Sequence, residues 1–248
     1  MNIRKRIMIK TRLMMPKFYF GEQLSEFFLD HIKPHRYFDR WSIQPFNGQS
    51  KRMSTIWQIA RDFKPTLGIE TGTFLGSSTP YLASMVTGDM YTIEIDDKTA
   101  LLAKERFENN HRNSKIVLVV GDSVERISQI LNGTNPKEEK ILAYLDAHWY
   151  TAIPTTAEIE ALIKWGGSWV AVIDDFKVPG DEGYKFDVYG HVEISQEILP
   201  IHKDLCLYVP SIPSEKETGR RKGTGYVCRK SDEKILSSIE SLRKVNIG

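Results

Sequence analysis

The chain has little of several features that mark specialised classes of protein. Its 248 residues include only two cysteines, Cys206 and Cys228, which cannot build a disulfide framework and which suit a reducing compartment. The formal net charge is +2, too small a surplus to favour nucleic acid as the main partner. No apolar stretch is long enough for a signal peptide or a membrane span. We therefore expect a cytoplasmic protein that acts on a small molecule, with a homo-oligomer left open.

The residues that are present have the composition and the periodicity of an α/β protein. Apolar residues make up 41% and charged residues 27%, which is ordinary for a globular domain. Short apolar runs alternate with helical spacing, which predicts a Rossmann-like, doubly wound, mostly parallel sheet of seven strands. Five strands are predicted at 66–70, 90–95, 115–120, 140–145 and 168–173, and helices at 77–86, 98–109, 123–131 and 155–165. Ser123 and Thr155 are the expected N-caps of the last two helices.

Both ends of the chain depart from this alternation. A loop rich in glycine and aspartate is predicted at 177–190, and two strands, 205–209 and 225–229, form a C-terminal antiparallel hairpin. Their connection, 210–224, is polar, and loops of this length are often functional. Amphipathic helices are predicted at 22–32 and 51–63. We therefore divide the chain into an N-terminal helical segment, 1–64, and a catalytic domain, 65–248, on which that segment packs.

The first strand is followed by a glycine-containing turn that opens a helix. This segment contains Glu70, Gly72, Gly76, Ser77 and Ser78. The glycines are spaced G-x-x-x-G, whereas a dinucleotide site requires G-x-G-x-x-G to bring a pyrophosphate to the helix N-terminus. S-adenosylmethionine instead carries an amino group and a sulfonium, which a carboxylate attracts, and a carboxylate that serine hydroxyls can bind. The turn therefore favours S-adenosylmethionine over a nicotinamide cofactor.

Polar residues also follow the second and third strands. Glu94 is placed where an acid can accept hydrogen bonds from both ribose hydroxyls, and Asp122 and Ser123 are placed to contact the adenine. Each residue alone has an ordinary alternative, as a solvated strand end or a turn residue. Their occurrence at successive strand ends favours a nucleoside site.

An acidic cluster is predicted at the ends of the fourth and fifth strands. Asp146 follows one strand, and Asp174 and Asp175 follow the other. Three converging carboxylates repel each other unless a cation compensates them, and all-oxygen ligation favours Mg²⁺ or another divalent cation. The alternative is that Asp174 and Asp175 cap the following loop and Asp146 is solvated.

His148 is the candidate general base. It lies two residues after Asp146, and imidazole is well suited to taking a proton from a hydroxyl near neutral pH. A structural role for this histidine is the alternative, with Lys177 or Asp175 then serving as the base. The aromatic pair 149–150 is either a wall of the acceptor site or part of the packing.

These motifs resemble those of catechol O-methyltransferase and of the metal-dependent O-methyltransferases that act on macrolide and aminocoumarin sugars. The similar region is 67–176. The resemblance implies the cofactor contacts Glu70, Gly72, Ser78, Glu94 and Ser123, and the Mg²⁺ ligands Asp146, Asp174 and Asp175. Two departures matter: Ala147 separates the aspartate from the histidine, and Tyr150 stands where the catechol enzymes have a lysine. The sugar enzymes place a histidine shortly after the metal-binding aspartate, which His148 resembles.

The expected function is methyl transfer from S-adenosylmethionine to a hydroxyl of a small-molecule acceptor, a sugar, natural product or phenol, with Mg²⁺ assisting. A metal-independent or nitrogen-directed methyltransferase is the first alternative. A nucleoside-binding module without catalysis is the second. A nicotinamide-dependent oxidoreductase is the third, and the glycine spacing argues against it.

Overall fold

The protein is built around one large twisted sheet with helices on its faces. The computed structural model describes residues 44–108, 115–148 and 153–247. The strands of the large sheet are β1 (Leu67–Thr71), β2 (Met90–Glu94), β3 (Ile116–Val120), β4 (Lys140–Leu145), β5 (Ser168–Ile173), β8 (Leu205–Pro210), β9 (Gly225–Arg229) and β10 (Leu242–Val245). Two further strands, β6 (Val188–Tyr189) and β7 (Val192–Glu193), pair separately. The α/β class with a C-terminal antiparallel part is confirmed.

The helices follow the alternation that the sequence predicts. They are α1 (Ser50–Phe63), α2 (Thr79–Ala83), α3 (Asp97–Glu108), α4 (Ser123–Asn132), α5 (Thr155–Trp165) and α6 (Glu233–Ser237). Helix α1 corresponds to the predicted helix 51–63, whereas the predicted helix 22–32 lies outside the described residues. Among the described residues, no helix combines the length and the apolarity needed to cross a bilayer.

The order of the strands places the site. Strands β1 to β5 are parallel in the order β5-β4-β1-β2-β3, because every adjacent pair among them is parallel. Chain order reverses between β1 and β4. In open α/β sheets ligands bind at this switch point, outside the carboxyl ends of the strands. The end of β1 and the end of β4 therefore border the crevice in which this fold binds ligands.

Burial explains why these strands were predictable from the sequence. All residues of β1 are buried, and β4 and β5 are buried except for their first residue. After that first residue, β4 and β5 each appear as a continuous apolar run. Helix α1 packs its apolar face, including Ile56, Ile59 and Phe63, into the same core as the sheet. The division at residue 64 remains a prediction, but this helix shares the core of the sheet.

Several predicted boundaries differ from the structure. Within the described residues the large sheet has eight strands, not seven, because β10 pairs with the outer side of β8. Helix α2 is much shorter than the predicted 77–86. The N-cap of α4 is Asp122, not Ser123: its carboxylate accepts hydrogen bonds from the backbone N–H groups of Val124 (2.9 Å) and Glu125 (3.2 Å). The N-cap of α5 is Pro154, not Thr155.

The C-terminal strands hold the two cysteines side by side. Cys206 on β8 and Cys228 on β9 are paired across the antiparallel ladder, and both are buried free thiols. Burial raises the pKa of each thiol, which keeps them protonated and poorly reactive. This arrangement fits the expectation that the two cysteines build no disulfide framework.

Candidate active site

The turn after β1 lies directly against the end of β4. Gly72 has φ +78°, and a Cβ atom there would be 2.2 Å from the backbone oxygen of Asp146. The backbone N–H of Gly72 also donates to the carbonyl of Ile93 at the end of β2 (2.9 Å). Glycine is required here because both the positive φ and the close backbone approach exclude a side chain. The glycine turn and the acidic cluster are therefore adjacent.

Glu70 connects neighbouring elements at the carboxyl edge of the sheet. Its side chain is buried, and its Oε2 accepts hydrogen bonds from the hydroxyls of Thr79 (2.5 Å) and Thr92 (2.6 Å). Burial raises the pKa of Glu70 to about 7, against the lowering effect of these two hydroxyls. One oxygen of this predicted cofactor contact is thus engaged in joining β1, β2 and the start of α2.

Glu94 joins the same turn to the end of β2. Its Oε2 accepts from the backbone N–H of Phe74 (2.7 Å) and its Oε1 from that of Asp96 (3.0 Å). Burial raises the pKa of Glu94, and these backbone donors oppose the shift. Because each oxygen has a second lone pair, the carboxylate can still accept from ligand hydroxyls.

The remaining turn residues have mainly structural contacts. Gly76 has φ +64°, and a Cβ atom there would meet the ring of Phe107 at 2.5 Å. Ser78 accepts a hydrogen bond from the backbone N–H of Phe46 (3.3 Å), which ties the segment before α1 to this turn. Ser77 is half-buried. Both serines lie on the turn that the sequence predicted for the methionine end of the cofactor.

The turn after β3 has a buried neighbour that the sequence analysis missed. Glu158 on α5 is fully buried, and neither carboxyl oxygen has a hydrogen bond of standard geometry within the described part of the chain. Burial raises the pKa of Glu158 to about 7, although the nearby hydroxyls of Ser123 and Thr71 and the charge of His148 lower it. The sequence did carry one signal for Glu158: it is an acidic residue on the buried side of the helix, next to Ile159.

Two of the three predicted metal-binding aspartates meet, together with His148. One ligand atom from each of Asp146, His148 and Asp175 lies within 4.8 Å of the others. The Nε2 atom of His148 is 3.6 Å from Asp146 Oδ1 and 3.6 Å from Asp175 Oδ2. Burial alone would lower the pKa of His148, but the surrounding carboxylates raise it to about 9. These residues are called the Asp-His-Asp cluster below.

Asp174 has different partners. Its Oδ1 forms a buried ion pair with Arg52 of α1 and accepts from the backbone N–H of Asp175 (2.7 Å). Its Oδ2 accepts from the Tyr144 hydroxyl (2.8 Å) and from the Asn47 amide (3.2 Å). Burial raises the pKa of Asp174, but the charge of Arg52 and these hydrogen bonds more than offset that effect and hold it below its usual range. The structure therefore brings together Asp146 and Asp175, while Asp174 binds α1.

The segment after β5 covers one side of the cluster. The Tyr189 ring packs edge-on against His148, with centroids 5.7 Å apart, and its hydroxyl donates to the carbonyl of His148 (3.1 Å). The alternative base Lys177 is paired with Glu193 (2.5 Å) and lies over the ring of Phe186. The aromatic pair 149–150, predicted to be either a wall of the acceptor site or part of the packing, lies outside the described residues.

One known protein family matches this chain. Residues 36–186, more than half of the chain, match the family model Rhamnosyl O-methyltransferase/CmcI. No curated protein matches significantly.

Solved structures share the fold at low identity. An O-methyltransferase from Bacillus cereus in complex with SAH is 15% identical, with 92% of this chain and 91% of that chain covered and a TM-score of 0.51. TomG from Streptomyces achromogenes, an O-methyltransferase involved in tomaymycin synthesis and solved with SAM, is 20% identical, with 92% and 99% covered and a TM-score of 0.54. Cofactor-bound Rv0187 from MTB is 17% identical, with 73% and 80% covered and a TM-score of 0.54. The chain thus belongs to the Rhamnosyl O-methyltransferase/CmcI family, as a class I S-adenosylmethionine-dependent O-methyltransferase.

Proposed function

We propose that the protein transfers the methyl group of S-adenosylmethionine to a hydroxyl of a small-molecule acceptor. The observation that carries this proposal is the contact between the two halves of the site. The backbone at Gly72, in the turn assigned to the cofactor, packs on Asp146 of the Asp-His-Asp cluster. A donor bound along the turn and an acceptor bound at the cluster would be neighbours, and holding two reactants in this way is a large part of catalysis.

On the cofactor side, we assign three groups of contacts. Glu94 would accept hydrogen bonds from the ribose, Asp122 and Ser123 would contact the adenine, and the turn 72–78 would hold the methionine end. Glu70 stabilises this turn, because its carboxylate accepts hydrogen bonds from the hydroxyls of Thr79 at the start of α2 and Thr92 on β2. S-adenosylmethionine would supply the electrophilic methyl group.

On the acceptor side, the donor set fits a divalent cation. Asp146 and Asp175 offer carboxylate oxygens, and the Oδ1 atom of Asp175 is buried with no hydrogen-bond partner in the described ranges. We propose that these two residues hold Mg²⁺ or another divalent cation, which when bound would lower the pKa of an acceptor hydroxyl. Asp174 remains the third predicted ligand, and it would have to exchange Arg52 for the cation.

The proton of the acceptor is assigned to His148. Both ring nitrogens of His148 are buried without a hydrogen bond of standard geometry to any described residue, so the ring has capacity for a new partner. Because the carboxylates of Asp146 and Asp175 beside Nε2 raise the pKa of His148 to about 9, the ring is protonated near neutral pH when no cation is bound. A divalent cation held by these carboxylates would compensate their charge and lower that pKa, which would leave Nε2 able to accept the proton. The Nε2 atom of His148 cannot be a metal ligand and the base at the same time. We assign it the role of the base.

The family name favours a rhamnosyl hydroxyl as the acceptor. Calorimetry with S-adenosylmethionine and with NAD⁺, each with and without Mg²⁺, tests the cofactor. Release of S-adenosylhomocysteine from a panel of rhamnosides, catechols and amines tests the acceptor. We expect binding of S-adenosylmethionine but not NAD⁺, and turnover with the rhamnosides that falls with EDTA and returns with excess Mg²⁺. Turnover with amines alone would contradict the proposal.

A further inference from the structure

A lysine outside the region that matches the family model reaches the Asp-His-Asp cluster. Lys222 lies near the end of the connection between β8 and β9, and its Nζ atom is 3.1 Å from Asp175 Oδ2. The same ammonium group forms an ion pair with Asp187. The side chains of Lys222 and Asp175 are each 13% exposed, so the ion pair between them is largely removed from water and is little screened by salt. Neither the sequence motifs nor the resemblance assigns a role to this lysine.

The backbone of Lys222 is held in place by the start of the described chain. The side-chain amide of Gln49 binds both backbone groups of Lys222, accepting from its N–H (2.7 Å) and donating to its carbonyl (2.9 Å). Arg52 donates a further hydrogen bond to that carbonyl (2.6 Å). A lysine anchored by three backbone hydrogen bonds has a defined position, unlike a lysine on a flexible surface loop.

The contacts of Lys222 divide the carboxylate of Asp175 into two unequal oxygens. Oδ2 faces both the ammonium of Lys222 (3.1 Å) and the imidazole of His148 (3.6 Å). Oδ1 is buried and has no hydrogen-bond partner among the residues that the structure describes. Asp175 itself has φ 53°, so its placement is maintained by these surroundings and not by backbone preference. Lys222 thus occupies one oxygen and leaves the other available.

We propose that Lys222 is a positioning residue and a built-in counter-ion of the Asp-His-Asp cluster, which lowers the affinity of the cluster for a divalent cation. This inference rests on the proposed cation site. A positive charge about 6 Å from a divalent ion, in surroundings with the dielectric constant of water, changes its binding about tenfold, and more where water is excluded. Lys222 pairs with Asp175 Oδ2, which leaves Asp175 Oδ1 without a partner among the described residues. The cluster can therefore receive a cation without binding it tightly.

The test is a titration of the full-length protein with Mn²⁺, with free Mn²⁺ measured by electron paramagnetic resonance. Three variants are compared with the wild type: K222M removes the charge and keeps most of the length of the side chain, K222R keeps the charge, and K185M removes an exposed charge from the neighbouring segment. We expect K222M to bind Mn²⁺ about tenfold more tightly, with K222R and K185M within twofold of the wild type.

Two results would overturn the inference. One is Mn²⁺ affinity in K222M that equals or falls below the wild-type value, and the other is no binding to either protein at millimolar Mn²⁺. Circular dichroism checks that each variant is folded, and K222Q replaces K222M if the methionine variant does not fold. Calorimetry with S-adenosylmethionine on the same samples is an independent measurement. If the wild type does not bind S-adenosylmethionine, the proposed methyl transfer is rejected. The comparison of Mn²⁺ affinities remains valid in that case.

Discussion

Glu158 lies on α5 with its carboxyl group fully buried and with no standard hydrogen bond to either oxygen from the described residues. Burial raises its pKa from 4.5 to about 7. The folded protein therefore holds this proton to a higher pH than the unfolded chain does. Below pH 4.5 both states are protonated and the group carries no penalty. As the pH rises from 4.5 to about 7, the unfolded chain ionises this group while the folded state still holds the proton, so stability falls; above about 7 both states are ionised and the penalty stays constant.

The size of the loss follows from the two pKa values. At about 1.4 kcal/mol per pH unit, the difference between 4.5 and about 7 corresponds to about 3 kcal/mol of unfolding free energy, lost mostly between pH 5 and pH 7. The substitution Glu158→Gln keeps the shape of the side chain and removes the charge. We expect E158Q to be more stable than the wild type at pH 8 by about 2–3 kcal/mol, and by less than about 1 kcal/mol at pH 5.

Urea denaturation at pH 5 and pH 8, followed by circular dichroism, measures both differences. Glu160→Gln, on an exposed position of the same helix, is the matched control for removing one acidic side chain. If the advantage of E158Q does not grow between pH 5 and pH 8, the burial argument fails. A loss of stability in E158Q at pH 8 would show that Thr71, Ser123 and His148 together stabilise a carboxylate.

The other predictions concern the two halves of the site. Glu94→Gln should weaken binding of S-adenosylmethionine by about 1.5–3 kcal/mol, as measured by calorimetry, because a charged acceptor for the ribose is lost; unchanged affinity in a folded variant would reject the ribose assignment. His148→Ala should lower kcat by about 10²–10⁴-fold while the Kd for S-adenosylmethionine stays near the wild-type value. If the variant keeps most of its kcat, the proton is removed by another group.

The sequence predicted the two central parallel strands β4 and β5 well because their burial on both faces leaves a continuous apolar run. The fourth and fifth strands, Lys140–Leu145 and Ser168–Ile173, have the predicted bounds. It missed the strand Leu242–Val245, because Arg243 and Lys244 are exposed and the segment contains no such run. An edge strand needs only one buried side, so its pattern is weak.

The sequence also predicted which functional residues lie at the sheet edge, because they follow the ends of predicted strands. It did not predict which side chains those residues contact. Asp174 and Asp175 are neighbours with the same side chain, and only the three-dimensional structure separates them. Arg52, which binds Asp174, is 122 positions away in the sequence. Glu158 was missed for a similar reason: helical spacing places it on the buried face, but not beside Ser123.

The acidic cluster shows how far an electrostatic argument from sequence extends. Converging carboxylates require compensation, and that requirement is met equally by a metal ion or by basic side chains from distant segments. The structure supplies Arg52 at Asp174 and Lys222 at Asp175, so part of the predicted repulsion is balanced within the chain. The balance is incomplete around Asp146 and His148, where the raised pKa of about 9 for the imidazole reflects uncompensated carboxylates. A cation at this place would therefore bind against the opposing charge of Lys222, which is why the affinity of the K222M variant is the decisive measurement.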